Sequence, residues 1–171
     1  FSLQRQYLPE NQIYLQPMLQ VGGYTSIGGT LGFCFGRVNF ESDCLWGLSH
    51  PTIYWNKVTG GRPEEDELAP MYYGAKFGYN VFTGTRLRIS PQLGGGYLMV
   101  SGTMSSCYAV NGTFGVRFDY AVANHLSLVA VPEYSFSITE SDTFKRIAET
   151  SSKVKGWVKG FNLRFGFSVY L

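Results

Sequence analysis

The last twelve residues, "GFNLRFGFSVYL" at 160–171, put a large apolar side chain at every odd position from Phe161 to Leu171. Small, polar or charged side chains take most of the even positions. A strand sends successive side chains to opposite faces, so this stretch reads as a strand with one apolar and one polar side. The period of two recurs along the chain in segments of about ten residues divided by turn signals. Residues 12–21 set Ile13, Leu15, Pro17, Leu19 and Val21 against Gln12, Tyr14, Gln16, Met18 and Gln20. Residues 27–37 set Leu31, Phe33 and Phe35 against Gly28, Thr30, Gly32, Cys34 and Gly36. A two-residue turn at Val38-Asn39 flips the phase, so that in 40–48 Phe40, Cys44, Trp46 and Leu48 oppose Glu41, Asp43 and Gly47.

Four more segments follow. Residues 71–81 set Met71, Tyr73, Ala75, Phe77 and Tyr79 against Gly74, Lys76, Gly78 and Asn80. Residues 86–99 set Leu87, Ile89, Pro91, Leu93 and Tyr97 against Arg86, Arg88, Ser90, Gln92, Gly94 and Gly96. Residues 108–120 set Val110, Phe114, Val116 and Phe118 against Asn111, Thr113, Arg117 and Asp119. Residues 126–138 set Leu128, Ala130, Tyr134 and Phe136 against Ser127, Glu133, Ser135 and Ser137. With 157–171 as the last, the pattern predicts eight strands. The turns near residues 38, 83 and 122 are short. The connections 49–70, which contains "RPEEDE", and 139–155 are long and polar, and both are expected to be solvated loops.

Alternation alone suits a soluble barrel and a membrane barrel equally; bulk separates them. An eight-stranded barrel has an interior only wide enough for packed side chains. Eight rows of Phe, Leu and Tyr do not fit there, whereas glycine, Ser, Thr and Gln do. The apolar face therefore points outward, with Lys159 as essentially its only charge. Such a surface suits a bilayer, where a charge at the midplane costs roughly 2–4 kcal/mol. The inward face carries Glu41, Asp43, Asp119 and Glu133 against Lys76, Arg86, Arg88, Arg117 and Arg164, a network able to neutralise itself and plug the lumen. Composition agrees: aromatic residues reach 16%, glycines number 21, and charged residues are only 15%, below the roughly 25% of a soluble domain. The net charge of +2 is spread along the chain, which speaks against nucleic acid. No apolar run approaches a spanning helix.

Outer-membrane barrels place short turns on the periplasmic side and long loops outside, so both termini are expected to be periplasmic. Tyr79, Tyr120 and Tyr170 would form the periplasmic aromatic girdle, and Trp46, Tyr97, Tyr108 and Trp157 the outer one. The chain resembles the small outer-membrane β-barrels of Gram-negative bacteria, in the class of the OmpA transmembrane domain and OmpX. The resemblance is one of architecture over residues 12–171. The assembly signal of such barrels is matched in spacing by Arg164, Gly166, Val169 and Leu171, although Val169 and Leu171 stand where aromatics are commoner. The match implies contact with barrel-insertion machinery and with outer-membrane lipids. "YYGAKFGYNVFTGTRLRISPQLGGGYL" (72–98) and "NHLSLVAVPEYSF" (124–136) also resemble the C-terminal barrels of PEGA-domain outer-membrane proteins. That resemblance implies an upstream domain, with residues 1–11 as its linker, and an accessory place in a larger assembly, including machinery of the BAM type.

Candidate chemistry is sparse. His125-Leu126-Ser127 is similar to the His-x-Ser pair of PagL-type lipid A deacylases, and a His next to a Ser is a legitimate nucleophile arrangement. Its parity is inward, however, and it follows a short turn far from the outer leaflet. "RPEEDE" lacks the spacing of a calcium loop. The glycine sets "GGT" at 28–30 and "GGG" at 94–96 precede no helix, so neither is a phosphate loop. Glu133 is expected to pair with Arg117 or Arg164, and Lys76 with Glu41 and Asp43. With a turn at Val38-Asn39, Phe33 falls opposite Cys44; Cys34 faces inward and Cys44 outward, so Cys34, Cys44 and Cys107 are expected as free thiols. No cofactor or metal is implied. The expectation is a non-enzymatic anchor or accessory barrel in a complex with other outer-membrane proteins. A lipid-modifying enzyme, or an adhesin acting through the 49–70 and 139–155 loops, is the alternative.

Overall fold

The computed structural model describes residues 11–55, 58, 64–83, 86–103 and 106–171. Its long strands are β1 (Asn11–Val21), β2 (Ser26–Phe35), β3 (Val38–Gly47), β6 (Ala69–Tyr79), β8 (Leu87–Ser101), β9 (Ser106–Ala123), β10 (Leu126–Glu140) and β11 (Gly160–Tyr170). Each pairs antiparallel with the next long strand, and β1 pairs with β11 to close an eight-stranded up-and-down barrel. Closure leaves no strand edge open, the condition a bilayer imposes on a sheet. Two short strands, β4 (Thr52–Tyr54) and β5 (Glu65–Glu67), form a hairpin within the 49–70 connection. A two-residue strand, β7 (Phe82–Thr83), adds to the short-turn end of β8.

Residues 1–10 of the expected linker lie outside the described residues, and the first strand begins at Asn11 rather than Gln12. Outward positions are large and apolar: Leu93 is 64% exposed, Phe161 62% and Phe77 55%, while inward polar residues are almost wholly buried.

Several sequence expectations are corrected. The β2–β3 turn is Gly36-Arg37, not Val38-Asn39, and Gly36 sits at φ 57°, a left-handed conformation that glycine adopts without strain. Phe33 therefore faces Phe40 rather than Cys44, whose partner is Gly29. Both alternatives keep the same parity, so Cys34 still points inward, and all three cysteines are free. Arg86 is not a lumen residue: it precedes β8 at the short-turn rim and is exposed. Tyr170 belongs to neither aromatic girdle, because its even parity turns it into the lumen, where it is buried. Trp157, three residues before β11, is buried over the barrel mouth rather than set in the outer girdle.

The 139–155 connection is not an open loop. It contains α1 (Asp142–Thr150) and α2 (Ser152–Lys155). Ser141 caps α1 by accepting from the Phe144 amide, which satisfies one of the otherwise orphaned first-turn donors. Phe144 and Ile147, three residues apart, share one helix face and are completely buried; that face closes the long-loop end of the barrel.

Candidate functional site

Among the described residues, chemistry-bearing side chains converge in the polar lumen, which is organised as two ionic quartets. The first joins Glu41, Arg88, Arg117 and Asp119. Arg117 grips Asp119 with two bonds of 2.8 Å, donates to Tyr14 at 3.1 Å and to Ser168 at 3.0 Å, and pairs with Glu41. Arg88 approaches Asp119 at 3.4 Å and donates to the Tyr170 hydroxyl at 2.6 Å. The Tyr14 hydroxyl donates to Glu41 at 2.7 Å, and the Arg117 guanidinium lies 4.6 Å from the Tyr14 ring centroid.

The second quartet joins Asp43, Lys76, Glu133 and Arg164. Arg164 donates to Asp43 at 2.5 Å and to Gln20 at 2.9 Å, and its Nε lies 2.9 Å from Glu133 Oε1 as an ion pair without a hydrogen bond. Lys76 pairs with Glu133 and lies 3.7 Å from Asp43, which also accepts from Thr30 at 2.7 Å. Glu133 is thus served by Arg164 and Lys76, not by Arg117, and Lys76 reaches Asp43 rather than Glu41. Each quartet contains two carboxylates and two cations, so the eight charges cancel. All eight are at most 3% exposed, a condition that buried charges tolerate only when paired and hydrogen-bonded.

Glycines make room for the larger lumen residues. A side chain at Gly32 would run into the Tyr14 ring, and a Cβ at Gly74 would sit 2.5 Å from the Tyr72 hydroxyl oxygen. Above the quartets the lumen turns apolar. Leu45, Tyr72, Leu98 and Val100 from the strands meet Phe144, Ile147 and Val154 from the helices. Tyr24, in the β1–β2 turn, meets Trp157 edge-on at 6.2 Å, and burial pushes its phenol up to about 12. Asp66 of the acidic hairpin is buried rather than solvated: it accepts from the Trp55 indole at 3.0 Å and from the Thr103 amide and hydroxyl at 2.9 and 2.7 Å. It ties the β4–β5 hairpin to the β8–β9 connection.

The His-x-Ser pair is split by the fold. His125 is exposed in the β9–β10 turn, while Ser127 is fully buried in the lumen. Of the expected assembly-signal positions, Arg164 belongs to the second quartet. The Cα of Gly166 lies so close to the Pro17 carbonyl that a Cβ there would overlap it. Val169 pairs with Leu15 and Leu126, and Leu171 is exposed with its amide donating to Ile13 at 2.9 Å. Sequence reasoning missed Tyr14, Tyr72 and the whole apolar cap; the spacing of Phe144 and Ile147 behind a Ser cap was the available signal.

No family profile and no curated protein matches the chain. Solved structures do match in fold. A major outer membrane protein from Thermus thermophilus aligns with a TM-score of 0.61 at 12% identity, covering 94% of this chain and 99% of that one. The N-terminal β-barrel domain of Pseudomonas aeruginosa OprF aligns with a TM-score of 0.58 at 10% identity, covering 95% and 98%. Neisserial surface protein A (NspA) aligns with a TM-score of 0.52 at 13% identity, covering 94% and 95%. The fold is that of a small, OmpA/OmpX-like eight-stranded transmembrane β-barrel.

Proposed function

We propose that this protein is a non-conducting, non-enzymatic barrel of the outer membrane. It works through its surfaces, as an anchor or an accessory subunit of a larger outer-membrane assembly. The observation that carries this reading is the lumen: eight mutually neutralised, buried charges lie beneath an apolar cap. A permeation path needs mobile water and an unbalanced or exposed polar lining, and neither fits that arrangement. The separation of exposed His125 from buried Ser127 weakens the lipid-hydrolase alternative. On this reading the termini face the periplasm, and the partners are membrane lipids, the insertion machinery during assembly and other outer-membrane proteins.

The test is planar-bilayer recording with the reconstituted chain, combined with crosslinking in intact cells. The reading expects a silent bilayer and crosslinks from the barrel exterior or loops to defined membrane proteins. A steady open channel would overturn the non-conducting part. A chain that crosslinks to nothing but itself would overturn the accessory part.

A further inference from the structure

Among the described residues, the long-loop end of the barrel is segregated by charge. From α1 through α2 to the start of β11, the chain exposes Lys145, Arg146, Lys153, Lys155 and Lys159 at least in part. Asp142 and Glu149 are the only acids between 141 and 171. Among the described residues none of the five cations makes an ion pair. The Gly156 backbone packs against Gly23 in the β1–β2 turn, which seats this basic segment above β10, β11 and β1. The β4–β5 hairpin lies across the mouth, above β3, β6 and β8, where Glu64, Glu65 and Glu67 are exposed and Asp66 is turned inward. In the strand order of the barrel, β3 and β6 stand opposite β10 and β11.

The basic quadrant also adjoins the apolar wall. Lys159 is followed at once by Gly160 and Phe161, and Ile138 ends the apolar run of β10; Phe161 and Ile138 are each 62% exposed. A lysine at this boundary lays its aliphatic stem along apolar surface and holds its ammonium at headgroup height. A cleft of about 830 Å³ between the helices has Glu140 and Glu149 beside Lys145 and Lys155 and is of mixed sign. Lys155 shares that cleft with both glutamates, whereas Lys153 and Lys159 do not line it and pair with no described acid.

We propose that this quadrant binds the phosphate-bearing headgroups of anionic lipids in the leaflet at the long-loop end, with their acyl chains lying on the wall beside Phe161 and Ile138. The proposal rests on the transmembrane fold and is independent of any accessory role. A lysine near an anionic membrane surface is worth roughly a fivefold preference, so three together are worth up to about a hundredfold.

The test is native mass spectrometry of the full chain from mixed micelles holding equal phosphatidylglycerol and phosphatidylcholine. Wild type is compared with a K153Q/K155Q/K159Q variant and with E64Q/E65Q/E67Q on the opposite quadrant. A folded-form gel shift reports that each remains a barrel, and K159E gives a single-site reading if the triple variant does not. The proposal expects wild type to carry phosphatidylglycerol selectively, the lysine variants to lose that selectivity by up to about a hundredfold, and the glutamate variant to keep it. It is overturned by equal retention of both lipids in wild type or by selectivity unchanged in the lysine variants. It is likewise overturned if a lipid-independent dimer vanishes with the lysines.

Discussion

Replacing Arg117 with Met should be among the most damaging single changes in the lumen, and a second change should repair most of the harm. Arg117 is 1% exposed and serves two carboxylates, Glu41 and Asp119, as well as Tyr14 and Ser168. Without it Asp119 keeps Arg88 at 3.4 Å, while Glu41 keeps only the Tyr14 hydroxyl at 2.7 Å among its described partners. The quartet then holds two carboxylates and one cation, leaving one buried charge uncompensated. Removing one partner of a buried pair costs about 3–5 kcal/mol, equal to roughly two to four decades in the folding equilibrium. Adding Glu41→Gln restores neutrality and leaves the Tyr14 hydroxyl an acceptor, so R117M/E41Q should recover to within about 1–2 kcal/mol of wild type. The assay is reversible urea unfolding of the chain in phospholipid vesicles, run as a double-mutant cycle. Both effects should change little with salt, because neither group is screened by solvent. A loss below about 1 kcal/mol in R117M, or no recovery on adding E41Q, would refute the neutralised-lumen account.

Other changes probe the remaining layers. Leu93→Arg, on an outward position that is 64% exposed, should cost roughly 2–4 kcal/mol in bilayer unfolding; a near-neutral result would place that face away from lipid. Phe144→Ala should loosen the cap while leaving the strand ladder intact, giving faster proteolysis within 139–160 and an unchanged β-sheet circular dichroism signal. Asp66→Ala removes the acceptor shared by Trp55 and Thr103, so limited proteolysis should cut the β4–β5 hairpin sooner than in wild type. Intact mass under non-reducing conditions should match three thiols, and maleimide should label Cys34 and Cys107 only after denaturation, since both are buried.

The strands were legible because a narrow barrel leaves little choice: bulk goes out, and small or polar residues go in. Parity alone therefore placed Glu41, Asp43, Lys76, Arg88, Arg117, Asp119, Glu133 and Arg164 on one side. Which acid meets which base was not legible, because long side chains reach diagonally across the lumen; Lys76 stands beside Glu41 in the ladder yet pairs with Glu133. The lumen also admits Tyr14 and Tyr72, each lying over glycines of neighbouring positions, and that fit exists only once the register is known. The glycine at 36 was a better turn signal than Val38-Asn39, since only the former sits at positive φ. Helix α1 was overlooked because its apolar face is just Phe144, Ile147 and Ala148 among charged neighbours, a pattern short enough to pass for a polar loop.

The central claim is the sidedness of the strands, and β11 offers its most direct test. In a background lacking the native cysteines, single nitroxide labels at 161 through 168 are read for collision with oxygen, which concentrates in the bilayer. Labels replacing Phe161, Leu163, Phe165 and Phe167 should collide freely, and those replacing Asn162, Arg164 and Ser168 should be shielded. The opposite parity, or no alternation at all, would contradict the account.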